Sequence, residues 1–333
     1  MHPGLVLVVG PNGAGKTNLL ESLHLGTQGF SPRTRTEAQL IRFGESAGRV
    51  SLHGRRGENE LAVEVTLEPA RGKRAKLNGG ALRAAEQLRA EVSTLVFTPD
   101  RLAVVKAAPA VRRAYVDRAL GRLFPARAGL SAEYGAAVGQ RNAALRRVGS
   151  GLSSAAAVEP WTEQVVELGT LLVAARRQTL ELLQPSFRCL TVEFGLEPGR
   201  LAYEGAPPTR EAMAERAQRD LERGTTSVGP HLDDIAILAG DRDLRSYGSQ
   251  GEQRLGVLSL LLAEAAVLDE RNGVAPLLLL DDVLSELDTQ RRETLARLLP
   301  ANGQTLITST SASALPVPPA QLVEVSPGRA RAA

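Results

Sequence analysis

The stretch GPNGAGKT, Gly10 to Thr17, fits the pattern G-x-x-x-x-G-K-[ST] and lies between two readable neighbours. Before it runs the apolar strand LVLVV, Leu5 to Val9, and after it the helix-like NLLESLHL. Strand, glycine-rich loop and helix in that order make a cradle for a phosphate chain. Gly10, Gly13 and Gly15 let the backbone curl so that its amides face the anion, and the helix start adds a favourable dipole. The same chemistry assigns Lys16 to the β- and γ-phosphates and the Thr17 hydroxyl to Mg²⁺. Gly10, Pro11, Asn12, Gly13, Ala14, Gly15, Lys16, Thr17 and the adjoining Asn18 form the candidate nucleotide site. The plain alternative, a glycine-rich turn with a chance lysine, leaves the flanking strand and helix unexplained.

Far downstream, PLLLLDDVLSELD (Pro276 to Asp288) supplies a partner for the loop. Leu277 to Leu280 is a continuous apolar run, the pattern of a parallel strand buried on both faces. Asp281 at its end stands where a Mg²⁺-binding carboxylate is needed. Asp282 follows, placed to orient or deprotonate an attacking water. None of the four lysines follows an asparagine, which disfavours guanine-reading folds and leaves ATP as the expected nucleotide.

One further segment, YGSQGEQR (Tyr247 to Arg254), precedes that strand by a single helix. Ser249 and Glu252 make a capping box, and Leu255, Leu258 and Leu262 continue at helical spacing. Ser249, Gln250, Gly251 and Glu252 thus stand at an exposed helix start, itself an anion site. This order resembles the heads of the ATP-binding-cassette superfamily, whose signature segment contacts the γ-phosphate held by the opposite subunit. The resemblance implies that residues 249–252 complete a second copy's site in a head-to-head dimer. It also implies that Ser285 and Asp288 line the dimer seam.

Several segments narrow the resemblance to the RecF family of bacterial recombination and gap-repair mediators. They are GPNGAGKTNLLESL, SPRTRTEAQLIRFG (31–44), LVFTPDRLAVVKAAPAVRRAYVDRAL (95–120), QRNAAL (140–145), TSVGPHLDDI (226–235), SQGEQR and DDVLSELD. Leu232 departs from the pattern, since a basic residue is expected between His231 and Asp233. Such heads also begin with another strand that carries adenine contacts, whereas only Met1, His2 and Pro3 precede the first strand here, so an upstream extension is expected. No histidine follows the strand QTLIT, where many cassette ATPases carry one that senses the γ-phosphate; Thr308, Ser309 and Thr310 stand there instead. Slow hydrolysis is the expectation.

Bulk composition sets the outer limits. With 333 residues, 43% hydrophobic and 23% charged, the chain has globular composition. No apolar run approaches a membrane span and no signal peptide is indicated. A single cysteine, Cys189, excludes an internal disulfide and is expected to be a buried filler. A cytoplasmic location without membrane partners is expected, and the family resemblance implies association with the nucleoid. The net charge of +3 is mild. Arg33 and Arg35, with Arg112 and Arg113, are the DNA-contact candidates, and salt-bridging to local carboxylates is the competing use of the second pair. Arg141, Arg146 and Arg147 read as a basic stripe or, more commonly for such a pattern, a solvated helical face. Aromatics at 3% argue against stacking platforms for single strands, so duplex backbone contacts are favoured.

The pattern predicts an α/β fold, and the resemblance implies a P-loop ATPase head of the ATP-binding-cassette type with a mixed sheet. A small antiparallel subdomain, from RVSLHG through the KLNGG turn, and a mainly helical second lobe without a long coiled coil are added to it. Residues 1–105 and 225–333 would form the ATPase lobe, and 106–224 the helical one. TVEF and RLAYEG read as a hairpin, and the tail after LVEV as mobile. The function implied is ATP-dependent DNA binding in recombinational and replication gap repair. ATP closes a homodimer on duplex or gapped DNA, slow DNA-stimulated hydrolysis opens it, and recombination-mediator adaptors assist recombinase loading. The alternative is a transporter ATPase subunit. It would usually carry a glutamine where Thr98 stands, and it leaves the helical insertion unexplained.

Overall fold

Val6, Leu7 and Val8 are fully buried, as an apolar run without polar alternation requires of a strand covered on both faces. In the computed structural model, which describes residues 1–333 apart from Arg35, Ala70, Arg71 and Ala84, this run forms β1 (Gly4–Val9). It leads through the glycine loop into α1 (Lys16–Gln28). An antiparallel group follows: β2 (Gly48–Arg56), β3 (Asn59–Glu68), β4 (Gly72–Leu77) and the short β5 (Gly80–Ala81). Along β3, Val63, Val65 and Leu67 are buried and pack with Leu25 of α1, the half-buried face that strict alternation predicts. Next come α2 (Ala85–Glu91) and β6 (Thr94–Phe97).

Helices then dominate: α3 (Ala103–Lys106), α4 (Pro109–Leu123), α5 (Leu130–Gly149) and α6 (Glu159–Glu193). β7 (Gly199–Glu204), α7 (Arg210–Arg223), β8 (Asp234–Ala239), β9 (Arg242–Asp243) and α8 (Leu244–Tyr247) lead to α9 (Gln250–Asn272). The chain closes with β10 (Leu277–Leu280), α10 (Thr289–Leu298), β11 (Gln304–Ser309), β12 (Gln321–Ser326) and β13 (Arg329–Ala332).

Two compact units result: Met1–Arg101 with Leu258–Ala333, and Leu102–Val257. The first holds a six-stranded sheet in the order β13-β12-β1-β11-β10-β6, parallel except for β13. β11 lies between β1 and β10, so the chain leaves β1 and β10 on the same edge with one strand between them. Ligands of open parallel sheets bind at that carboxyl edge. Mixed sheet, small antiparallel sheet and helical lobe are the expected fold class.

The second unit packs α4, α5, α6 and α7 around Leu120, Tyr134, Val165, Leu172 and Met213. It extends beyond the expected end at residue 224. β7 pairs antiparallel with β8 from Gly199↔Ala239 to Glu204↔Asp234, which keeps the chain up to Val257 with the helices. TVEF is not a strand: its first three residues end α6, because Phe187, Leu190 and Phe194 are buried at helical spacing and packing overrides β-branched propensity. RLAYEG finds its partner in β8 instead. The tail is ordered too, with Arg329 to Ala332 pairing against β12. Cys189 is exposed on α6 rather than buried. No described helix is long and apolar enough to cross a membrane.

Candidate nucleotide site

The phosphate loop shows why each glycine is there, and the reasons are of two kinds. Gly13 (φ +78°) and Gly15 (φ +104°) take left-handed conformations that cost other residues about 1–2 kcal/mol. Gly10 has an ordinary backbone, but a Cβ there would stand 2.3 Å from the carbonyl oxygen of Val325 on β12. It is required by packing under the loop, not by the curl around the anion. Gly15 is the N-cap of α1, which lacks a side-chain cap and has no acidic residue in its first turn. By contrast Thr209 caps α7 and Asp288 caps α10. The free amides and dipole at α1 are therefore open to an anion. Lys16 folds over the loop, its Nζ donating to the carbonyls of Gly10 (2.7 Å) and Pro11 (3.0 Å).

Across the carboxyl edge of the sheet the Thr17 hydroxyl donates to Asp281 Oδ1 at 3.2 Å. This hydroxyl and carboxylate, joined from 264 residues apart, are hard oxygen donors suited to Mg²⁺. Among the described residues no group of three or more His, Cys, Asp or Glu could hold a metal alone. A cation here would need further ligands from nucleotide and water, the usual state of Mg²⁺ beside phosphates. Thr17 and Asp281 fit that ion. Asp282 is exposed and adopts a left-handed backbone (φ 51°, ψ 29°). Its N–H donates to Thr308 Oγ1 at 2.8 Å, and its carbonyl accepts from Ser285 Oγ at 3.0 Å. Thr308 is the residue that sequence reasoning misses: its only signal there is the lack of a histidine. Asp288 caps α10 through the Arg291 N–H (2.8 Å) and pairs with the Arg291 guanidinium.

In the other unit the capping box at the start of α9 is formed. The Ser249 N–H donates to Glu252 Oε2 (2.8 Å), and the Glu252 N–H to Ser249 Oγ (3.3 Å). Hydrogen bonding from the Ser249 backbone N–H, then from its side chain, holds the Glu252 carboxyl below its ordinary pKa, with Arg242 at 3.2 Å adding to the effect. Ser249, Gln250 and Gly251 are exposed. A Cβ on Gly251 would meet nothing within 4 Å among the described residues, so packing among them does not account for the glycine.

The arginine candidates divide. Arg33 is half-exposed, with Glu21 at 3.7 Å, while Ser31 donates a short hydrogen bond to the same glutamate. Arg35 lies outside the described residues. Arg112 is buried and forks onto Asp234, Nε to Oδ1 and Nη2 to Oδ2, both at 2.7 Å. It is not a surface DNA contact; salt-bridging, the competing reading, is what the structure has. Arg113 is half-buried and donates to the Asp233 carbonyl at 2.6 Å. Burial, then neighbouring Arg176, lowers its pKa.

Arg141 is likewise no solvated residue. It is buried on α5 and reaches Asp220 (2.7 Å), Thr226 (2.9 Å) and Thr162 (3.0 Å). Adjacent Asn142 accepts from both the N–H and the hydroxyl of Thr226 at 2.7 Å. QRNAAL and TSVGPHLDDI are thus physically joined. Further along, the His231 Nε2–H donates to the Thr226 carbonyl (3.1 Å), so Nδ1 accepts from the Tyr134 hydroxyl (2.7 Å). Burial lowers the His231 pKa and keeps the ring neutral. Leu232 beside it is exposed.

Fold and loop together define a P-loop head of the ATP-binding-cassette type. The chain belongs to the RecF family: the RecF/RecN/SMC N-terminal domain description matches residues 1–329, and curated relatives carry the RecF name. The DNA replication and repair protein RecF of Heliobacterium modesticaldum is 37% identical over 324 residues, covering 92% of this chain and 87% of that one. Its namesake in Myxococcus xanthus is 37% identical over 329 residues, covering 92% and 85%. Among solved structures, the recombination mediator protein RecF with ATP, of the RecFOR pathway, superposes with a TM-score of 0.89 at 28% identity, covering 100% of this chain and 92% of that one. An Smc head domain from Pyrococcus furiosus, at TM-score 0.59 and 17% identity over 99% and 89% of the two chains, shares the fold.

Proposed function

We propose that this protein is an ATP-dependent DNA-binding protein of recombinational and replication gap repair. The observation that carries the reading is the uncapped, acid-free start of α1 beside the paired Thr17 and Asp281. The amides and Lys16 bind the phosphates of ATP, Thr17 and Asp281 hold Mg²⁺, and Asp282 orients or deprotonates the attacking water. Mg²⁺ held by Thr17 and Asp281 would supply neutralisation of charge on the phosphates. The α9 start of a second copy, with Ser249 and the unobstructed Gly251, reaches the γ-phosphate, so ATP joins two copies head to head. Ser285 and Asp288 lie at that seam. The bare surface at Gly251 supports this, because close approach by an outside group accounts for a glycine that the chain's own packing does not require.

The closed dimer grips duplex or gapped DNA through arginines of both copies, Arg33, Arg35 and Arg113 among them. Slow, DNA-stimulated hydrolysis then opens it. Relatives named for DNA replication and repair, and a solved structure named as a recombination mediator with ATP, support that assignment. Adaptor proteins that load a recombinase and a place at the nucleoid in the cytoplasm complete the reading.

Gel-shift of gapped duplex at several salt concentrations tests the gating. ATP should tighten binding roughly tenfold or more. It should also steepen the fall of affinity with salt, since two copies displace more counterions than one. Equal affinity and equal slope with and without ATP would remove the gating.

A further inference from the structure

Thr308 lies on β11, the strand between the phosphate-loop strand and the acidic strand. Its register partner on β1 is Val8, and its neighbour Ile307 pairs with Leu280, the last residue before Asp281. Its side chain is fully buried. The hydroxyl uses both of its capacities on the acidic pair. It donates to Asp281 Oδ1 at 2.7 Å and accepts the Asp282 N–H at 2.8 Å. A hydroxyl can donate and accept at once; a valine of the same shape can do neither.

We infer that Thr308 is a positioning residue for the acidic pair, holding Asp281 at its oxygen and Asp282 at its backbone. This deepens the nucleotide-site reading and rests on it. Asp281 Oδ1 has two donors here, Thr17 and Thr308. Thr17 can donate to Asp281 while its lone pairs remain open to a cation, and Thr308 is a second, fully buried donor that keeps the carboxylate in place. At Asp282 the bond to Thr308 fixes the amide of a residue in the left-handed region, where an L side chain needs external support. That conformation sets the direction in which the Asp282 side chain leaves the strand end. One threonine thereby couples the geometry of the metal-binding carboxylate to that of the water-handling one.

The test compares Thr308→Val with Thr308→Ser in the full chain, each first checked for a cooperative thermal transition. Three readouts follow: hydrogen exchange at the Asp282 amide without nucleotide, ADP affinity with and without Mg²⁺, and steady-state ATP hydrolysis. In Thr308→Val the Asp282 amide should lose protection, and the Mg²⁺-dependent gain in ADP affinity should shrink by roughly tenfold or more. By the usual scale of groups that act through a ligand, kcat should fall about 10–100-fold with little change in KM. Thr308→Ser, which keeps the hydroxyl, should restore all three. A Thr308→Val protein with wild-type Mg²⁺ dependence and kcat, or a serine variant as impaired as the valine one, overturns the inference alone. Loss of Mg²⁺ dependence in the wild type would overturn the nucleotide site itself, and this inference with it.

Discussion

Asp282→Asn is expected to lower kcat for ATP hydrolysis by roughly a thousandfold, the middle of the range for removing a positioned general base, while leaving nucleotide affinity within about twofold. The separation follows from geometry. Asp282 is exposed at the strand end, and its backbone rather than its carboxylate is engaged by Thr308 and Ser285. Asparagine also tolerates the left-handed conformation better than most residues, so the strand end should keep its shape. Phosphate binding rests on the loop amides and Lys16, and metal binding on Thr17 and Asp281, none of which this substitution alters. Single-turnover hydrolysis and equilibrium binding of a fluorescent ATP analogue measure the two quantities separately. Hydrolysis at the wild-type rate would remove Asp282 from the role of water-handling carboxylate.

Arg141→Met should cost about 3–5 kcal/mol of stability, the scale for breaking one partner out of a buried ion pair. Arg141 and Asp220 are both buried, and their guanidinium–carboxylate contact is 2.7 Å. Methionine fills much of the volume but leaves a carboxyl without its cation and Thr226 without a donor. Urea unfolding followed by far-UV circular dichroism reads the loss. The double variant Arg141→Met with Asp220→Leu should be less destabilised than the sum of the two single changes, because no lone charged partner is left buried. Full additivity would mean that the pair is not coupled as drawn. The Thr226 to Asp234 segment is tied to the helices through this cluster, so protection there should fall in the single variant even below the midpoint.

The parts of the molecule legible in sequence are those set by local rules. The phosphate loop is read from spacing, β10 from an uninterrupted apolar run, the small sheet from strict alternation, and the α9 start from a capping box. Each signal is local in sequence. What escaped is long-range. Arg141 looked like a surface residue because the acid that buries it lies 79 positions away, and Arg112 because Asp234 is 122 away. Thr308 was visible only as the absence of a histidine; its role depends on the register of β11 against its neighbours. TVEF reads as a strand in sequence because β-branched residues weigh that way until the buried face of α6 is known. Gly10 was grouped with the other loop glycines, since no pattern in the loop reveals the backbone of β12 beneath it.

Sedimentation velocity with a non-hydrolysable ATP analogue and Mg²⁺ tests most directly whether nucleotide joins two copies of this chain. The wild type should pass from monomer to dimer as the analogue saturates. Lys16→Met should remain monomeric because it binds the analogue weakly. Ser249→Arg should remain monomeric while still binding it, since that residue caps an exposed helix start remote in sequence from the phosphate loop. A wild type that stays monomeric at saturation, or a Ser249→Arg variant that dimerises as the wild type does, would contradict the shared nucleotide site.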